Sequence, residues 1–191
     1  MNRMGTALTA LGWTLAASAS ALAAPTTFIP NADHTFVRFS YDHMGFSLQQ
    51  SRFDKTTGSV TFDPVAKTGS VDLVIDTKSV DTGSELFNGH IQGTDFLDTA
   101  QFPTATFKST SVKFDGDRPV SISGDLTLKG VTKPVTLTVT SFKHGLNMMK
   151  KDAIGANATT TLKRSDFQMA KYVPMVADEV TVTIAIEAAT P

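Results

Sequence analysis

Residues 124–140, GDLTLKGVTKPVTLTVT, alternate apolar and polar side chains in two runs. Leu126 and Leu128 alternate with Thr127 and Lys129; Val135, Leu137 and Val139 alternate with Thr136, Thr138 and Thr140. Period two is the side-chain repeat of a strand, so each run has one apolar face and one wetted face. The break at Gly130–Pro134 between them predicts an antiparallel hairpin. The same pattern recurs along the chain. Val37, Phe39, Tyr41 and His43 share one strand face, and Val60 and Phe62 end at Asp63-Pro64. Val71, Leu73 and Ile75 follow, then Ala105 with Phe107, and Val112 with Phe114 before the Asp115-Gly116-Asp117 turn. Ile154, Ala156, Ala158, Thr160 and Leu162 alternate next, and Val180, Val182, Ile184 and Ile186 close the chain. Eight to ten short strands separated by turn signals predict an all-β fold, a barrel or a sandwich.

Before that fold begins, residues 1–23 read as an export signal. Arg3 is the positive start, Ala7–Ala17 is an apolar run of small residues, and Ala21-Leu22-Ala23 is a cleavage motif. Cleavage after Ala23 leaves an exported mature chain of residues 24–191. With no cysteine anywhere, that exported chain has only its core for stability. Trp13 is the only tryptophan and lies in the leader, unlike a standard lipocalin, whose first strand usually carries one. A net charge of −1 without a basic run leaves no footprint for nucleic acid.

One interval breaks the period-two pattern. In residues 79–103, Leu86, Phe87, His90 and Ile91 recur at helical spacing, with Ser84 or Thr82 as a cap. Thr94 is placed to cap a further turn carrying Phe96 and Leu97. Gly89 and Gly93 each weaken a helix by about 1 kcal/mol, so short, broken helices are expected. A connection this rich in Phe and Leu has to bury its apolar side, and the outward strand faces are rich in Thr, Lys and Asp. The mouth of a barrel is the expected place.

An eight-stranded barrel either fills with side chains or holds one small apolar ligand. Thirteen Phe favour filling, whereas Ala156, Ala158 and Thr160 at inward positions leave space. The patterning alone fits both.

Catalytic motifs are absent: no nucleophile elbow, P-loop or dinucleotide fingerprint occurs, and the chain has only three Glu. An enzyme is not expected. His34, His43, His90 and His144 have no metal-ligand spacing. Met148, Met149, Met169 and Met175, with His144 near them in sequence, offer thioethers of a kind that suit Cu(I). The same methionines also suit loops that adapt to an irregular ligand.

Four segments carry a family resemblance. They are His34-Thr35-x-Val37-x-Phe39-x-Tyr41-x-His43; Thr94–Phe107, TDFLDTAQFPTATF; Gly124–Val135, GDLTLKGVTKPV; and Lys163–Phe167, KRSDF. In order and spacing they closely resemble the YceI-like family of bacterial periplasmic polyisoprenoid-binding proteins, over about residues 28–188. The resemblance implies a lipocalin-like antiparallel β-barrel with a helical excursion and a long isoprenoid, or an isoprenoid quinone, held inside. It implies no cofactor beyond that lipid. The expected ligand contacts on the strands are Val37, Phe39, Tyr41, His43, Phe53, Leu73, Ile75, Phe107, Leu126, Leu128 and Leu137. On the excursion they are Leu86, Phe87, His90, Ile91, Phe96 and Leu97, and Arg164 lies in the polar break that follows the Ile154–Leu162 strand. The alternative is a non-enzymatic interaction protein whose excursion or Met-rich loops dock a membrane redox partner, with transient contact to inner-membrane proteins. The chain departs from the family pattern at Phe87-Asn88, where an Arg-Asp pair is common, at Ser51, and at Gln168. A more apolar mouth, selecting a less charged ligand end, is the expectation.

Overall fold

The computed structural model describes residues 25–191; residues 1–23, expected to be a leader, lie outside them. Eleven strands form one antiparallel sheet. They are β1 (Thr26–Pro30), β2 (Phe36–His43), β3 (Ser47–Phe53), β4 (Thr56–Asp63), β5 (Thr68–Asp76), β6 (Val80–Asp81), β7 (Thr104–Asp115), β8 (Arg118–Leu128), β9 (Val131–Leu146), β10 (Asp152–Lys163) and β11 (Glu179–Ala189). A helix, α1 (Glu85–Gln92), lies between β6 and β7.

The order β1-β4-β5-β7-β8-β9-β10-β11 closes on itself because β1 pairs with both β4 and β11, giving an eight-stranded barrel. β1 closes the barrel at one end only. Its first residues oppose Val60–Phe62 and its last two oppose Ala188 and Ala189. Towards the other end β11 pairs with β2 through Thr181–Ala185, and β2 leads on to β3 and β6. The Asp54 N–H donates to the Ser79 carbonyl just before β6, and the Asp76 N–H at the end of β5 donates to the Lys55 carbonyl, tying this three-strand extension to β5.

The 124–140 hairpin forms with Leu126 opposite Lys133 and Leu128 opposite Val131, so Val131–Pro134, expected in the break, already belong to β9. Its turn is Lys129-Gly130, both at positive φ. A Cβ on Gly130 would stand 2.7 Å from the Phe102 ring, so only glycine lets the hairpin tip pack against the excursion. The buried Lys129 ammonium completes that contact, donating to the Thr94 carbonyl at 2.7 Å and the Gln168 carbonyl at 3.1 Å. Ser84 caps α1 through the Phe87 N–H, and the helix stops at Gly93. Thr94 caps no second helix. Residues after Gly93 form turns in which Leu97 N–H donates to Ile91 O and Thr99 N–H to Gln92 O, folding the segment back on α1.

The two barrel ends differ. At the floor, Phe28, Phe62, Ile154 and Ala188 are buried together, with Phe114 and Phe142 packed against them. At the mouth, Val37, Phe53, Ile75, Leu97, Phe167 and Met169 form a second cluster beneath α1.

Candidate functional site

Two cavities follow one another inside the barrel. The lower one, about 140 Å³, is walled by Leu73, Ile75, Phe107, Leu126, Leu137, Ala156, Ala158 and Thr160 and ends on Phe62, Phe114 and Phe142. These three rings make the floor: Phe62 stacks on Phe114 at 6.2 Å and meets Phe142 edge-on at 5.2 Å. The upper cavity, about 210 Å³, is bounded by Phe39, Tyr41, His43, Phe53, Phe87, His90, Ile91, Phe96, Leu97, Leu128 and Arg164. Val37, Leu162 and Val182 line both, so the two meet at a neck formed by three inward strand positions. The wall is apolar because these are the alternate residues of strands whose other face is wetted.

Of the residues expected from sequence, all but one line one cavity or the other. Leu86 does not: its side chain is 89 % exposed. α1 has only eight residues and turns Phe87, His90 and Ile91 inward. Leu86 sits a quarter-turn from the centre of that face and faces solvent. Asn88 also has a local task, its Oδ1 accepting from the Thr82 N–H and the Thr82 hydroxyl, both at 2.7 Å.

Arg164 lines the upper cavity, but its N–H groups are taken up by the backbone. Nε donates to the Ala177 carbonyl at 2.9 Å and Nη2 to that of Val176 at 2.9 Å. Nη1 donates to the carbonyls of Met169 and Lys171. One guanidinium thus gathers the 168–178 loop into a wall of the cavity. Burial lowers the Arg164 pKa, an effect opposed by Asp178 and Tyr41. Burial likewise raises the Tyr41 phenol, moderated by Arg164, so its hydroxyl stays neutral in the cavity.

Asp178 accepts from the Ser165 hydroxyl at 2.6 Å and the Ser165 N–H at 2.8 Å. The hydroxyl bond is the main cause of its lowered pKa. A depressed carboxylate contributes stability that is full above its unfolded pKa and is lost as pH falls through the folded one. Asp178→Asn is expected to flatten the acid side of the stability–pH curve, read by urea unfolding across the carboxylate range.

The four methionines do not converge. Met148 and Met149 stand exposed in the β9–β10 turn at the floor end, whereas Met169 is buried in the mouth cluster and Met175 lies in the mouth loop. No four-thioether copper site forms among the described residues. His144 is 2.9 Å from Asp152 at the floor end, its ring edge-on to Phe28 and Phe62. No group of three or more His, Asp or Glu side chains among the described residues is placed to hold a metal ion.

Sequence reasoning did not select the floor rings, the neck residues Leu162 and Val182, or the loop residues Phe167, Met169, Tyr172 and Val176. The alternation of β10 and β11 held the signal for the neck. The loop residues follow no period, and only the Arg164 bonds bring them to the cavity.

Comparison with known proteins agrees with this architecture. The YceI-like domain model matches residues 29–188. Protein YceI of Escherichia coli is 39 % identical over 171 residues, covering 88 % of each chain. Protein YceI of Salmonella arizonae is 37 % identical over 182 residues, 93 % of this chain and 95 % of its own. Among solved structures, Burkholderia cenocepacia BcnA superposes with a TM-score of 0.69 at 27 % identity, over 83 % of this chain and 98 % of its own. A polyisoprenoid binding domain from Saccharophagus degradans has the same fold, with a TM-score of 0.65 at 20 % identity over 88 % of this chain and all of its own. A closed eight-stranded barrel, a helical excursion over one end and the match across nearly the whole barrel lead to one conclusion: the chain belongs to the YceI-like family.

Proposed function

We propose that the protein is a periplasmic, non-enzymatic carrier that holds a long apolar chain, a polyisoprenoid or an isoprenoid quinone, along the barrel axis. The observation that carries this reading is the apolar wall running from α1 through the neck to the floor. The chain's free end lies in the lower cavity and its head in the upper one, near Tyr41, His43 and His90. Each buried CH₂ is worth about 0.8 kcal/mol, so a five-carbon unit contributes about 4 kcal/mol before ordering losses. The Saccharophagus structure, described as a polyisoprenoid binding domain, supports the ligand class.

A series of prenols of increasing length tests the reading. Affinity is expected to rise with each unit until the chain reaches the Phe62–Phe114–Phe142 floor, then to level off. Phe142→Ala deepens the lower cavity, so its plateau is expected one unit later, at a stability cost of about 3 kcal/mol for the lost ring. Affinity that does not depend on length contradicts the carrier reading.

A head contact makes a second prediction. Phe87→Arg with Asn88→Asp is expected to shift the bound lipids towards phosphorylated ones, read by mass spectrometry of the extract. The double variant also breaks the Asn88–Thr82 bonds, so its melting temperature is measured alongside.

A further inference from the structure

We propose that the rim of the upper cavity is a docking surface for the lipid bilayer, against which the protein takes up and releases its chain; this rests on the carrier reading. The rim is an arc of aromatic and apolar side chains. Phe87 stacks on His90 at 5.6 Å, His90 meets Phe96 at 4.9 Å and Phe96 meets Tyr172 at 6.3 Å. From Tyr172 the loop runs through Met175 to Val176, which is bridged to His43 at the end of β2. There the β2–β3 hairpin projects Met44 and Phe46 at its tip. Phe46 is 85 % exposed, with its N–H donating to the carbonyl of cavity-lining His43, and Met175 is 64 % exposed next to cavity-lining Val176.

Charge selects the occupant. The two rim segments, residues 43–51 (HMGFSLQQS) and 172–177 (YVPMVA), contain no Asp, Glu, Lys or Arg. Nearby Lys171 is paired with Asp95 at 3.3 Å. The floor end is the opposite: exposed Leu146, Met148 and Met149 stand among Lys143, Lys150 and Lys151. The exposed tip side chains Met44, Phe46 and Met175 fit the interface of a zwitterionic bilayer, where they leave water without stranding a charge. The cargo requires the same contact. At about 0.8 kcal/mol for each CH₂ exposed to water, a chain of several isoprene units leaves a membrane readily only if the barrel mouth meets it there.

The experiment is flotation of the mature chain, residues 24–191, with vesicles of pure phosphatidylcholine and with an equimolar mixture of phosphatidylcholine and phosphatidylglycerol. Binding to both vesicle types, little changed by added salt, is expected. Phe46→Ser and Met175→Ser, both at largely exposed positions where little change in melting temperature is expected, are each expected to weaken it about tenfold. Met148→Ser with Met149→Ser at the floor end is expected to leave it unchanged. Absence of vesicle binding, binding to the anionic vesicles alone that salt abolishes, or loss with the floor variant rather than the rim variants overturns the proposal. Bound lipid is assayed separately on each protein after loading with a prenol in detergent. Rim variants that load normally but do not float sustain both proposals. A protein that floats by its rim yet loads no chain sustains the docking surface and refutes the carrier reading.

Discussion

Arg164→Ala is expected to destabilise the protein by about 3 kcal/mol and to open one wall of the upper cavity. The guanidinium is the shared donor for the carbonyls of Met169, Lys171, Val176 and Ala177. Hydrogen bonds to a charged group contribute about 1.5–3 kcal/mol each, and leaving buried acceptors unpaired adds to the cost. Part of the loss is recovered because the freed loop meets water. In a chain of this size the net figure corresponds to a fall in melting temperature of about 10 °C. Arg164→Lys separates charge from geometry: a single ammonium has three donors and cannot span the four carbonyls, so lysine is expected to rescue little. Both variants should release a loaded chain faster than wild type, measured by transfer to acceptor vesicles. An unchanged melting temperature with unchanged release would remove Arg164 from the structure of the site.

Ala158→Phe is expected to act in the opposite way, sharply weakening chain binding while the fold holds. Ala158 is buried on an inward position of β10 and faces the lower cavity. A phenyl group there occupies space that the chain would use, and displacing one five-carbon unit removes about 4 kcal/mol of burial. With tenfold per 1.4 kcal/mol, affinity for a long prenol should fall several hundredfold or more. Filling an apolar void restores packing contacts, so the melting temperature of the empty protein should hold or rise. Overpacking in a filled core would instead cost about 1–3 kcal/mol. A variant that is strongly destabilised and still binds a prenol normally would mean that the lower cavity holds no chain.

The strands were legible because one face meets water and the other does not. Leu126 and Leu128, Leu137, and the inward set Val37, Phe39, Tyr41 and His43 could be assigned to the interior from period two alone. α1 was legible in the same way, from Ser84 and the spacing of Phe87, His90 and Ile91. Leu86 shows the limit of that reasoning: in a helix of two turns, one step round the axis separates a lining residue from an exposed one. The loop 168–178 had no readable pattern, since its course follows from Arg164 contacts between residues up to 13 positions apart. Lys129 escaped notice for a related reason. A lysine at a hairpin turn looks solvated, yet its ammonium is buried against two carbonyls that only the closed barrel brings near. The neck formed by Val37, Leu162 and Val182 is a property of three strands at once.

The most direct test is mass spectrometry of an organic extract from the purified mature protein, isolated from an exporting host without detergent. One long isoprenoid or quinone molecule per chain, absent from the extract of Ala158→Phe, is the predicted result. A clean extract from wild-type protein that stays clean after incubation with membrane lipids and quinones would contradict it and mean that the barrel is a filled scaffold.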